Sequence, residues 1–208
     1  MKMSKDAVGA FVDAVYAIAV TILALEIPAE LDAEFSLASF VGVLLDYAMS
    51  FVIIFSLWLQ HRRINEYIST YNRPAVWLTG LILLLVCLIP RATTFVFDYG
   101  GNVTIAQLEQ SLAHGAGWSR AEIVDITYVG IVLAADFSLL LLSRFAYLKE
   151  QKPDFKAVHR SKSTITTLTV VVLGLSFLTP FENRYFLLLM PLILMFENQL
   201  AGLIFRSK

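Results

Sequence analysis

Hydrophobic positions gather into six long apolar segments separated by polar connections: residues 7–27, 40–60, 74–97, 121–148, 164–181 and 185–205. Each runs for about 18 residues or more, enough for a helix to cross a hydrocarbon core of ~30 Å. The pattern predicts an all-α, polytopic membrane protein with six transmembrane helices per subunit, in one domain over 1–208. The fourth segment exceeds a straight crossing and ends on a basic stretch, Arg144 to Lys149, so it is expected to tilt or to project a turn into water. In the connection 98–120, two glycine-containing turns flank an amphipathic stretch near 103–113, read as a short interfacial helix.

Composition agrees with that class. The chain is 58% hydrophobic and 16% charged, with mean hydropathy +0.70, whereas a soluble domain carries about 25% charged residues. Net charge of −1 argues against a nucleic-acid partner. Cys87, the sole cysteine, cannot close an intrachain disulfide. The first apolar run is long and lacks an A-x-A-like exit, so it is expected to be retained as a span. Of the 16 lysines and arginines, all but Arg91, Arg120 and Arg184 fall on the side that holds the N-terminal tail, the second and fourth connections and the C-terminus. That bias predicts a multi-pass protein of the cell (inner) membrane with both termini cytoplasmic.

Soluble catalytic signatures are lacking: no H-E-x-x-H, G-x-S-x-G or Walker A sequence occurs. The chain is therefore not expected to be an enzyme. His61, His114 and His159 fall in separate connections, so neither a metal site nor a cofactor is expected, and nothing identifies a soluble ligand. Thr127-Tyr128-Val129-Gly130-Ile131 invites comparison with a TVGYG potassium filter, but the order is wrong. It sits mid-helix rather than in a re-entrant loop, and reads as helix packing.

Chemistry concentrates in the first segment. At 100° per residue, Ile18, Thr21, Ile22 and Leu25 share one stripe about 100° wide. Ala10, Ala14, Ala17, Thr21 and Ala24 line its shoulder, where small side chains let helices approach closely. Asp13 lies off the stripe, and a carboxylate at membrane depth is expected to face protein or water. Periodicity alone leaves two readings open: Asp13 as a functional carboxylate paired with another helix, or a lipid-facing stripe with Asp13 as a satisfied packing residue. Trp58-Leu59-Gln60-His61-Arg62-Arg63 likewise reads first as an aromatic belt followed by cytoplasmic charge. Asp125 and Asp136 each need a partner within the membrane, and Arg144 lies two helical turns from Asp136, too far for a local bond. The basic connection from Lys149 to Lys162 reads as a topology determinant.

Three stretches in order, FVDAVYAIAVTILALEIP (11–28), WLQHRR (58–63) and LIPRATTFVFDYG (88–100), resemble the endosomal/lysosomal potassium channel family in its prokaryotic single-repeat form. The family's first helix opens with Arg-x-x-x-Phe-Ser-Asp. Here Phe11 and Asp13 are retained, while Ala7 and Val12 stand at the arginine and serine positions. The resemblance implies a homotetramer in the lipid bilayer with the first helices around a central pore that passes potassium ions. It implies that Ile18 forms an apolar constriction in place of a carbonyl filter. Ile22 and Leu25 then add further apolar layers, and Thr21 supplies a hydroxyl layer. Phe11, Asp13, Trp58 and His61 would form a structural network, with Asp13 leaning on His61, Trp58 or Lys5. The expected function is a weakly to moderately potassium-selective cation leak channel. The alternative is a proton-coupled secondary transporter using Asp13, Asp125 or Asp136, although no inverted repeat supports it.

Overall fold

A computed structural model describes residues 3–27, 37–99, 120–150 and 153–178. Among these residues the chain forms five helices: α1 (Lys5–Leu25), α2 (Leu37–Tyr67), α3 (Arg73–Tyr99), α4 (Arg120–Glu150) and α5 (Pro153–Leu178). A two-residue ladder pairs β1 (Met3–Ser4) antiparallel with β2 (Thr70–Tyr71). The expected sixth segment, 185–205, the interfacial stretch 103–113 and His114 lie outside the described residues. Three helical stretches, Lys5–Leu25, Arg73–Val96 and Ile123–Glu150, are long and apolar enough to cross a membrane.

The helices assemble by burying apolar positions three or four residues apart. On α1 these are Val8, Val12, Tyr16, Ala19 and Leu23. Ile82, Val86 and Ile89 answer them on α3, and Val132, Ala135, Leu139 and Leu142 on α4. The most extensive packing joins α3 to α4; α1 lies against α2 and α3, and α5 against α4. Pro90 sits inside α3 and has no N–H to give the turn before it. Just beyond it, Thr93 donates its hydroxyl to the carbonyl of Ile89 at 2.8 Å.

One end of the bundle is tied by the α2–α3 connection. Ser4 caps α1 by accepting from the Ala7 N–H at 3.3 Å. Lys5 Nζ donates to the Glu66 carbonyl at 2.8 Å, and Lys149 Nζ to the Thr70 carbonyl at 2.5 Å. Ser69 donates its hydroxyl to Glu150 at 2.6 Å. Tyr71 is fully buried and donates to Asn65; burial pushes its phenol above the ordinary range. These bonds gather the N-terminus and the ends of α2 and α4 at one pole, leaving the C-terminus of α1 at the other.

Two boundaries differ from expectation. α2 continues past Gln60 to Tyr67, placing His61 within the helix. α5 begins at Pro153, eleven residues ahead of the expected 164, so Lys156, His159 and Lys162 are helical rather than parts of an exposed connection. Proline suits a first helical position because the N–H it lacks would have had no intrahelical acceptor there.

Candidate functional site

Among the described residues, α1 has two apolar faces and one partner set. Its buried stripe is consumed by α2 and α3. The opposite face leaves Phe11, Ile18, Ile22 and Leu25 exposed, Ile18 at 55% and Leu25 at 78%. Ala14, Ala17 and Ala24 are exposed beside them, so this face is apolar and thin-skinned along its length. Thr21 is the polar interruption within it. Its Oγ1 donates to the Ala17 carbonyl at 2.9 Å. The hydroxyl proton is thereby committed to the helix, and the oxygen lone pairs are left to accept from, or coordinate, something outside the helix.

Near the N-terminal end of α1, the expected polar group separates into two contacts. Trp58 Nε1 donates to Asp13 Oδ1 at 2.7 Å, and the Arg62 guanidinium lies 5.3 Å from the centroid of the Trp58 ring. His61 does not reach Asp13; its Nδ1 shares a 3.4 Å hydrogen bond with the Tyr16 hydroxyl, with the rings edge to face. Lys5 is spent on Glu66. Phe11 joins neither contact, because its helical phase puts it on the outward face with Ile18. Both contacts bind α1 to α2 and so fix the rotation of α1 about its own axis.

A second polar group, absent from the expectations, lies inside the subunit. Asp136 on α4 is fully buried, and Lys162 on α5, 1% exposed, donates to its carboxylate and to Gln60 Oε1 on α2. Lys162 is thus a buried counter-ion rather than a solvated topology charge, because the early start of α5 carries it beneath the surface. Below it, Ser143 and His159 share a 2.9 Å hydrogen bond. Burial, and then the Arg144 guanidinium, hold the His159 imidazole below its usual range. Buried Thr166 and Thr169 follow Lys162 at the fourth and seventh positions onward, continuing a polar stripe along α5. The signals for this group were Pro153 as a helix start and the 162, 166, 169 spacing.

At the pole reached by the C-terminus of α1, Glu26 accepts from Arg91 Nη1 and from Thr94 Oγ1, both at 3.0 Å. Between α3 and α4 a cleft of about 630 Å³ is lined by Leu88, Phe95, Ile123 and Ile131 with Arg91 at its edge. It is an apolar groove with no nucleophile and base side by side. Residues 127–131 lie within α4, where Tyr128 and Val129 are buried. Among the described residues, no group of three or more His, Cys, Asp or Glu side chains is arranged to hold a metal ion.

Comparison with known proteins adds four findings. The family model described as endosomal/lysosomal potassium channel TMEM175 matches residues 7–90, which hold α1, α2 and most of α3. A potassium channel of Streptomyces collinus is 26% identical over 160 residues, covering 74% of this chain and 72% of the relative. One of Chamaesiphon minutus is 27% identical over 184 residues, covering 82% and 83%. The fold is that of the crystal structure of a lysosomal potassium-selective channel TMEM175 homologue from Chamaesiphon minutus, with TM-score 0.71, 22% identity, and 95% of this chain and 98% of that one covered. The chain is a multi-pass membrane protein, and the three short motifs, the family model over residues 7–90 and the two bacterial relatives point the same way: it is similar to proteins of the endosomal/lysosomal potassium channel TMEM175 family, a family of ion channels.

Proposed function

We propose that the chain is one subunit of a homotetrameric, potassium-selective cation leak channel of the cell membrane, its pore walled by the outward faces of four α1 helices. The observation that carries this reading is the double-faced α1. One apolar stripe is buried against α2 and α3, while Ile18, Ile22 and Leu25 point away from the described helices of their own subunit with Thr21 among them. A single stripe cannot enclose a path; copies arranged with closed cyclic symmetry can. The excess of basic residues on one side of the predicted spans supports cytoplasmic termini, with Glu26 and Arg91 facing outward.

In that arrangement Ile18 makes a ring of branched side chains that a hydrated cation cannot pass intact. Potassium sheds water at lower cost than sodium, and Thr21 oxygens, their protons held by Ala17, replace part of the lost shell. The ring rather than a carbonyl filter then does the discriminating, and selectivity is moderate. The carrier alternative is weakened because Asp136 is already neutralised by Lys162.

Purified protein in vesicles tests the reading. Potassium flux is expected to rise linearly with driving force, without a coupled counter-ion, and to exceed sodium flux. Saturation with obligatory coupling, or electrical silence, contradicts it. Thr21→Val keeps the shape of the helix but removes the oxygen. Its expected result is persisting flux with potassium-over-sodium discrimination reduced roughly two- to tenfold, the worth of one lost polar contact per subunit.

A further inference from the structure

Resting on that pore reading, we infer that Glu26 and Arg91 form a charge-matched pair that sets how many cations collect at the outer mouth, making them conductance-determining residues distinct from the constriction. Glu26 is the residue on which α1 ends; its own N–H closes the last turn on the Ile22 carbonyl at 3.2 Å. A carboxylate there meets the negative end of the helix dipole, an unfavourable placement that calls for a cation. Arg91 supplies it from α3 at 3.0 Å, and Thr94 adds a hydroxyl at 3.0 Å. The guanidinium itself leans on the Phe95 ring, 4.6 Å from its centroid.

The two partners are unequally exposed: the Arg91 side chain is 59% accessible and that of Glu26 24%. The pair is therefore within reach of the solution beyond Leu25. Where α1 helices surround an axis, each subunit adds one carboxylate and one guanidinium around the mouth, and their fields largely cancel. Acidic rings attract permeant cations in other pores; here the ring is present but tempered. Removing either partner leaves the opposite sign unbalanced in every copy.

Bilayer recordings of the tetramer at low and high salt test this. At ~0.01 M, where screening extends to ~30 Å, Arg91→Gln is expected to raise inward conductance on the order of two- to fivefold, and Glu26→Gln to lower it by a similar factor. The double variant returns close to the native value. At ~1 M, with screening within ~3 Å, all four proteins converge. A purely structural bond predicts instead that both single variants lose conductance alike, in both directions and at every salt concentration; that result overturns the inference. Ile18→Asn recorded alongside separates the two levels. If it changes flux while the charge variants match native protein at low salt, the mouth inference alone fails. If none of the three differs from native protein, the pore reading fails with it.

Discussion

Replacing Ile18 by asparagine is expected to speed potassium flux at least about tenfold and to erase most discrimination against sodium; a barrier lowered by only ~1.4 kcal/mol suffices for that rate. The argument is one of hydration. A ring of isoleucines offers nothing to a cation and holds water poorly, so an ion entering it loses shell without replacement. Asparagine puts an amide carbonyl and an N–H group at the same place, hydrates the ring and shortens the dry stretch. Because Ile18 is 55% exposed and packs on no described partner helix, the change leaves the subunit's interior intact. Thermal unfolding of the detergent-solubilised subunit is thus expected to stay near native, which separates a pore effect from a folding defect. Unchanged flux and selectivity would remove Ile18 from the pore.

The largest stability effect is expected at the buried pair. Lys162→Met strands the Asp136 carboxylate, and Asp136→Asn strands the Lys162 ammonium; each should cost ~3–5 kcal/mol, as removal of one partner from a buried ion pair does. The ordering matters more than the magnitude. Joint replacement, Lys162→Met with Asp136→Leu, removes both charges, fills similar volume and should unfold closer to native protein than either single variant does. Gln60 loses its Lys162 donor in the double variant, so recovery is expected to be incomplete. Denaturant unfolding in detergent reads all three. Additive losses would mean that the two charges stabilise separately rather than as a pair.

Much of this architecture is written in the chain because membrane spans are a local property. The apolar runs at 7–27, 74–97 and 121–148 need no partner to be recognised, and α1, α3 and α4 occupy them. The Ile18, Thr21, Ile22, Leu25 stripe is equally local, since helical phase alone puts these residues on one face. What phase cannot say is what the face meets; lipid and pore both accept isoleucine. The burial of the opposite stripe, Val12, Tyr16 and Ala19 against neighbouring helices, together with the exposure of Ile18, Ile22 and Leu25, supplies the missing half: among the described residues the outward face has no partner.

Long-range pairings were the illegible part. Asp136 and Lys162 are 26 residues apart, and Lys162 lies in a run of charges that fits solvent as well as it fits a helix. Only the position of Pro153 at the start of α5 brings it under cover. Glu26 and Arg91 lie 65 residues apart, and each looks like an ordinary connection charge until α1 and α3 are side by side. At the other pole, the resemblance implies one network of Asp13, Trp58 and His61, and the side chains instead divide into two contacts. Trp58 has a rigid N–H aimed at Asp13, while His61, buried one helical step further, is nearer the Tyr16 hydroxyl.

The account turns on which side chains touch the permeating ion, and a thiol placed there reports it directly. In a Cys87→Ser background, Ile18→Cys puts sulfur on the outward face of α1, and Leu84→Cys puts it on the exposed face of α3. Silver, a monovalent cation that thiols capture, is expected to abolish current through the Ile18→Cys channel within seconds and to leave the Leu84→Cys channel conducting. Block at Leu84→Cys with none at Ile18→Cys would give the pore to another helix and end the proposal.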